Sequence, residues 1–256
     1  MAVKDFTERT YREEAVPEGL TSFRVMIGET DLWIAADRDL TPMALESVRT
    51  HRTTIEDYIA ANPVFATTLK VWEGAVPPRT IVARMADAAR AVGIGPMAAV
   101  AGSIAEAVAR DLIGHTTRVM VENGGDLYLF GGSVTSVGLW AGSSPLSGRI
   151  ALSVDASQGI AVCTSSGTVG PSLSLGRADA ASVISPSGAL ADAAATELGN
   201  RIRHPDDIEK ALDWALSVTG VTGAAVIMGE TIGAKGNVEL IPLRNPKSKY
   251  QNPKGV

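Results

Sequence analysis

The sequence predicts an α+β protein in which antiparallel strands form sheets and helices cover one face. Three observations predict it. Short apolar runs come in pairs joined by turn residues, most plainly Arg118–Val121 and Leu127–Phe130 around Asn123-Gly124-Gly125. Helices open on Thr/Ser-Pro pairs and close on Gly or Asn-Pro, as at Thr41-Pro42 and Gly93. The stretch Gly159–Asn200 reads as strand, polar loop, strand and helix in direct succession.

The elements follow in chain order. Residues 1–20 form a polar, charged lead-in without an apolar signal core, which points to a cytoplasmic chain. Residues 21–243 are expected to fold as one domain. Phe23–Met26 and Asp31–Ala35, joined by Gly28-Glu29-Thr30, predict a hairpin. Thr41 as N-cap with Pro42 behind it starts a helix that Asn62-Pro63 stops. A second helix runs from Thr80 to Ala91. Gly95-Pro96 then turns into a helix with Ala98, Ala101, Gly102 and Ala105 on one stripe. Val134–Trp140 and Arg149–Val154 continue a meander. Gly159–Cys163 and Ala181–Ile184 are strands, and Ser185-Pro186 opens the helix that Gly199-Asn200 closes. His204-Pro205 starts the last helix, Asp206–Val218. Ala224–Met228 and Val238–Leu243 are closing strands on either side of Gly233–Gly236. Residues 244–256 form a basic tail, with Arg244, Lys247, Lys249 and Lys254 and little apolar surface, expected to be loose or docked on a protein partner.

Composition narrows the function. The 256 residues are 45% hydrophobic and 20% charged with a net charge of −5, which disfavours a general nucleic-acid binder. No apolar run reaches membrane-spanning length. The single cysteine, Cys163, excludes an internal disulfide, and the three scattered histidines give no zinc-ligand spacing.

Four stretches carry chemistry. A helix start of low side-chain bulk, Gly95, Pro96, Met97 and Ala98, lets a phosphate or diphosphate approach free amides at the positive end of the helix dipole. Tight helix packing explains the same small residues. Asn123, Gly124, Gly125 and Asp126 form a hairpin turn that needs no function. Thr164, Ser165, Ser166 and Gly167 put hydroxyls and bare amides on a loop. Asp192 and Thr196, four apart, share a helix face and offer the hard oxygen donors that Mg²⁺ favours. Spacing alone favours the plainer reading of a solvent-facing Asp and a Thr bonded back to a carbonyl.

Taken in order, the GPMAAVAG, ENGGD, TSSGTVG and ADAAAT strings resemble the ApbE superfamily of FAD:protein FMN transferases, and in particular its ApbE-like branch of anaerobic bacteria and archaea. The resemblance covers Gly93 to Asn200. It implies a T-fold-type architecture of two related halves, FAD or FMN as ligand at the first three strings, and Mg²⁺ held by Asp192 and Thr196 with a main-chain carbonyl. It also implies metal-assisted transfer or hydrolysis at a diphosphate. Two departures stand out. Ala101-Gly102 replaces the family's Lys-Gly pair, and Leu173–Asp179 replaces its His-x-x-Asp-Pro-x-Thr-Gly loop, leaving Asp179 as the candidate acid or base. That branch is associated with sulfide assimilation towards homocysteine. A second reading therefore makes Cys163 a sulfur carrier or nucleophile, against the plainer one of a packed core thiol. A third is a ligand-binding or assembly subunit without turnover.

Overall fold

The computed structural model describes residues 19–132, 134–168 and 175–243. The lead-in up to residue 18, the basic tail, and the loop positions Gly170, Pro171, Leu173 and Ser174 lie outside them. Eleven strands and five α-helices are present among the described residues. Strands β1 (Thr21–Ile27), β2 (Thr30–Ala36), β3 (Val119–Asn123), β4 (Asp126–Phe130), β7 (Ile160–Ser165), β8 (Ala180–Ser185), β9 (Gly223–Met228) and β10 (Thr231–Gly236) form one antiparallel sheet in the order β1-β2-β3-β4-β7-β8-β9-β10. A second sheet has the order β11-β6-β5, from β5 (Val134–Gly138), β6 (Ile150–Asp155) and β11 (Glu239–Pro242).

The large sheet is built from two consecutive blocks, each a hairpin, a set of helices, and a second hairpin. The first block places α1 (Thr41–Ala61), α2 (Ile81–Val92) and α3 (Val100–Leu112) between β2 and β3. The second places α4 (Gly188–Asn200) and α5 (Ile208–Ser217) between β8 and β9. Strand alternation sends one set of side chains, including Val121, Tyr128, Cys163 and Val183, into a core under the helices. The other set, including Met120, Leu129 and Val162, meets Val137 and Leu152 of the small sheet and Leu139 just after β5. The expected α+β arrangement, with helices on one face and two related halves, is the observed one.

Four local expectations are corrected. Thr41 is the first residue of α1 and not its cap: Asp39 Oδ1 accepts the Thr41 N–H at 2.8 Å. Helix α4 begins at Gly188 with Ser187 as N-cap, its hydroxyl accepting the Leu190 N–H at 3.3 Å. Ser185 ends β8 and accepts the Ser187 N–H. Gly233–Gly236 is part of β10, because its small residues let the strand lie under α5; a Cβ on Gly233 would stand 2.8 Å from Ile208 Cγ2. The meander expected from Val134 onward leaves the main sheet, since β5 and β6 pair with each other and with β11.

The stretch between α1 and α2 has little regular structure but is anchored. Trp72 and Phe65 pack edge-on with each other and with Tyr58. Trp72 Nε1 donates to the Tyr58 hydroxyl, which donates to Ala75 O, both at 2.8 Å. Among the described residues no single helix is long and apolar enough to cross a membrane. The pair Ile81–Val92 and Pro96–His115 passes such a test jointly but is bent by 107°, and both of its helices line the core.

Candidate functional site

The site lies where the start of α3, the β3–β4 turn, the end of β7 and the first turns of α4 meet. A 3-10 turn, Pro96–Ala99, feeds directly into α3. Gly95 lies so close to the Thr68–Leu69 backbone that a Cβ there would meet it. Pro96 is buried, while Met97 and Ala98 are partly so.

The β3–β4 turn approaches α3 from the side. Gly124 and Gly125 have φ of 69° and 108°, a backbone that side chains disfavour. Glu122 fixes the turn by accepting the Gly125 N–H at 2.9 Å. Asn123 Nδ2 donates to Ala101 O at 3.1 Å, tying the turn to the first turn of α3. Asp126 opens β4, opposite Cys163 on β7. Side chains at Asp126 and Tyr128 point to the helix side, since alternate residues of a strand share a face.

Helix α4 closes the site. Asp192 Oδ2 accepts the Gly102 N–H at 2.8 Å. That amide sits in the first turn of α3, where the helix dipole favours a negative charge. The sequence reading offered such amides to a phosphate. The Gly102 amide is taken by Asp192, and the Ala98 N–H bonds Gly95 O at 3.2 Å. The helix start is thus a seat for a carboxylate of the protein itself. Thr196 stands one turn further along the Asp192 face, partly buried.

Two carboxylates thereby come within electrostatic reach of each other, Asp126 buried and Asp192 half-buried. Asp126 is 7% exposed. Burial, then the charge of Asp192, pushes its carboxyl well above the usual carboxylate range. Burial likewise pushes Asp192 up to about 7, against the pull of the Gly102 and Ala101 amides. Among the described residues, neither acid has an ion-pair partner. Among the described residues, no group of three His, Cys, Asp or Glu is placed to hold a metal ion together. A cation would therefore draw on at most these two carboxylates, with the Thr196 hydroxyl, the Ala101 carbonyl and ligand oxygens completing its shell. That donor set is the hard-oxygen kind that Mg²⁺ takes.

The remaining sequence candidates fall into place around this centre. Thr164 Oγ1 and Ser182 Oγ share a hydrogen bond at 2.8 Å across β7 and β8. Ser165 ends β7 opposite Ala181. Ser166 Oγ accepts the Thr168 N–H at 3.1 Å, and Gly167 N donates to Ala178 O at 2.9 Å. These hydroxyls lie at the same sheet end as Asp126, which stands opposite Cys163 beside Thr164.

Cys163 does not fit the part of an attacking sulfur. It is fully buried and donates to Gly188 O at 3.7 Å. Burial, then the neighbouring Asp126, pushes its thiol well above the ordinary range. A reactive cysteine needs an electropositive, partly open setting, and this one has carboxylates instead. Asp179 is a clamp in this structure: Oδ1 accepts from Thr168 Oγ1 at 3.0 Å and Oδ2 from the Gly229 N–H at 2.7 Å. Both oxygens are engaged in holding the loop ahead of β8 against the β9–β10 turn.

Sequence reasoning missed Glu106. It is 5% exposed, yet carries a carboxylate that accepts the Gly188 N–H at 2.7 Å and Arg110 Nε at 2.7 Å. The signal was present as a repeated spacing. Gly102 precedes Glu106 by four residues, and Gly188 precedes Asp192 by four.

Known proteins bear on this geometry. The family model described as AbpE bacteria matches residues 13–240. The UPF0280 protein of Methanosarcina acetivorans is 41% identical over 227 residues, covering 87% of this chain and 89% of that one. The UPF0280 protein of Methanopyrus kandleri is 38% identical over 239 residues, covering 89% and 96%. The crystal structure of Pseudomonas stutzeri flavinyl transferase ApbE, apo form, superposes with a TM-score of 0.56 at 14% identity, over 85% of this chain and 94% of that one. That likeness shows the fold, and the fold carries many chemistries. With the family model spanning both halves and the site between them, this chain is a member of the AbpE bacteria family, built on the ApbE fold and related to the archaeal UPF0280 proteins.

Proposed function

We propose that this protein binds a flavin nucleotide, or a ligand with a similar phosphate group, together with a divalent cation, and that its reaction is transfer or hydrolysis at a diphosphate. The observation that carries the reading is the meeting of Asp126 and Asp192 at the first turn of α3, with the Ala101 carbonyl alongside. Two like charges drawn from water repel each other, and a hard cation offsets that cost. Asp192 and Thr196 are the residues that would hold it, with Asp126 across from them. When bound, the cation would neutralise charge on the phosphate oxygens.

The chain's own groups do the rest. Asn123 holds Ala101 O, and the Gly102 amide orients Asp192. Ser165 and Ser166 offer hydroxyls at the rim, and Gly124 and Gly125 let a ligand pass close to the backbone. Because the Gly102 amide is already bonded to Asp192, a phosphate of the ligand would find its counter-charge in the cation and not in that amide. The Pseudomonas stutzeri neighbour is called a flavinyl transferase, and a protein acceptor is part of the reading here for that reason. Asp179 is engaged with Thr168 and Gly229, so it supplies no proton transfer in this reading.

The test is a titration of the purified chain with FAD and with FMN, with and without MgCl2, followed by flavin fluorescence. Mg²⁺-dependent binding is expected, weakened at least about tenfold in Asp192→Ala, with the far-ultraviolet dichroism unchanged because Ala suits a helix interior at least as well as Asp. Equal titrations for the two proteins would overturn the reading.

A further inference from the structure

Helices α3 and α4 hold each other by two crossed carboxylate–amide bonds. Glu106 of α3 accepts the N–H of Gly188, the first residue of α4, and Asp192 of α4 accepts the N–H of Gly102 in the first turn of α3. Each acid stands four residues after the glycine of its own helix, so both project from the face on which the helices meet. The backbones touch at the same glycines. A Cβ on Gly102 would collide with Gly188 O and stand 2.8 Å from Asp192 Cβ. One on Gly188 would collide with Gly102 O and stand 2.9 Å from Glu106 Cβ.

We propose that Glu106 is a positioning residue for the Asp126–Asp192 centre: it seats the first turn of α4 and through it sets where the Asp192 carboxylate lies. Its second oxygen is held by Arg110 Nε at 2.7 Å, and the Arg110 guanidinium stands 5.5 Å from the centre of the Tyr128 ring. Glu106 is therefore fixed from its own helix and from β4 before it reaches Gly188. Removing it frees the α4 amide end of the cross and leaves Asp192 tied to α3 only through that helix's own first-turn amides, Gly102 foremost. Outer partners of this kind tune a metal site without touching the metal. The inference rests on the cation reading above, and the experiment separates the two.

The experiment compares wild type with Glu106→Ala, Glu106→Asp and Glu106→Gln. It reads amide exchange at Gly102 and Gly188, relative to amides of β3 and β4, and Mg²⁺ affinity by calorimetry. Glu106→Ala is expected to speed exchange at both glycines, including Gly102, which Glu106 does not touch, and to weaken Mg²⁺ about tenfold. Glu106→Asp, one methylene shorter, is expected to do the same in lesser degree and serves if the Ala variant does not fold. Glu106→Gln keeps an acceptor oxygen and is expected to restore Gly102 protection and bring Mg²⁺ affinity within about threefold of wild type. Wild-type protection at Gly102 in the Ala and Asp variants would overturn the proposal. So would a Gly102 amide that stays unprotected in the Gln variant. If wild type binds no Mg²⁺, the cation reading fails, and the Gly102 exchange alone decides whether Glu106 positions Asp192.

Discussion

Gly102→Ala tests the packing on which the whole site depends. In an ordinary helix interior this change stabilises by about 1 kcal/mol, because alanine loses less backbone entropy than glycine. Here the added methyl would run into the Gly188 carbonyl oxygen, with Asp192 Cβ at 2.8 Å. Neither neighbour can rotate away: one is backbone of α4 and the other the root of a side chain. Overpacking of a well-filled interior costs about 1–3 kcal/mol, and a collision with backbone belongs at the upper end or beyond. Set against the propensity gain, the net loss is about 2 kcal/mol. For a domain of this size that lowers the melting temperature by about 4–8 °C. Thermal melts followed by circular dichroism measure it, with Gly114→Ala as control, since a Cβ there meets nothing within 4 Å. The control is expected to melt at or slightly above wild type. A Gly102→Ala protein at least as stable as wild type would show that α3 and α4 do not cross as closely as described.

Three further outcomes are expected. Without divalent cations, stability should fall as pH rises from about 4 to about 7. Asp192 is pushed up to about 7 when folded, so the native state holds a proton that the unfolded state has released, and the slope is negative in that window. Urea midpoints at pH 5 and pH 8 check this, and Asp192→Asn should lessen the difference, leaving the share that buried Asp126 contributes; a midpoint that rises with pH refutes the assignment. Cys163 should react with a thiol reagent such as dithionitrobenzoate at least about a hundredfold more slowly in the native protein than in urea. It is buried among carboxylates, and fast native labelling would return it to the list of nucleophiles. Incubation with FAD, Mg²⁺ and a standard threonine target of the ApbE transferases should leave that target free of covalent flavin, because Leu173–Asp179 replaces the histidine loop and Ala101 the lysine. Mass spectrometry of the target reads the result.

The sequence by itself determined what is local. The Asn123-Gly124-Gly125 turn was legible because only glycine takes those backbone angles easily, and the Gly93 helix end because φ is 83° there. Pattern and punctuation placed most helices and strands to within a few residues. They missed where several neighbouring side chains compete for one role. Asp39 satisfies the start of α1 in place of Thr41, and Ser187 caps α4 in place of Ser185. Both choices depend on backbone angles that a string of polar residues leaves open. Asp126 and Asp192 were each marked, but for different roles, one lining a ligand site and the other holding a metal.

Tertiary structure alone decided that they form one centre. Gly102 and Asp192 are 90 residues apart, and Glu106 and Gly188 are 82 apart. Nothing in either helix states that its glycine will press against the other's carbonyl. Burial then changes the chemistry of the groups brought together. Cys163, plausible as a nucleophile in a hydroxyl-rich string, becomes a thiol held protonated by desolvation and by Asp126, while Asp192 is raised to about 7. Residue types and spacings name the groups available. Their charges depend on how much water and which neighbours the fold leaves them, and those are set by contacts far apart in the chain.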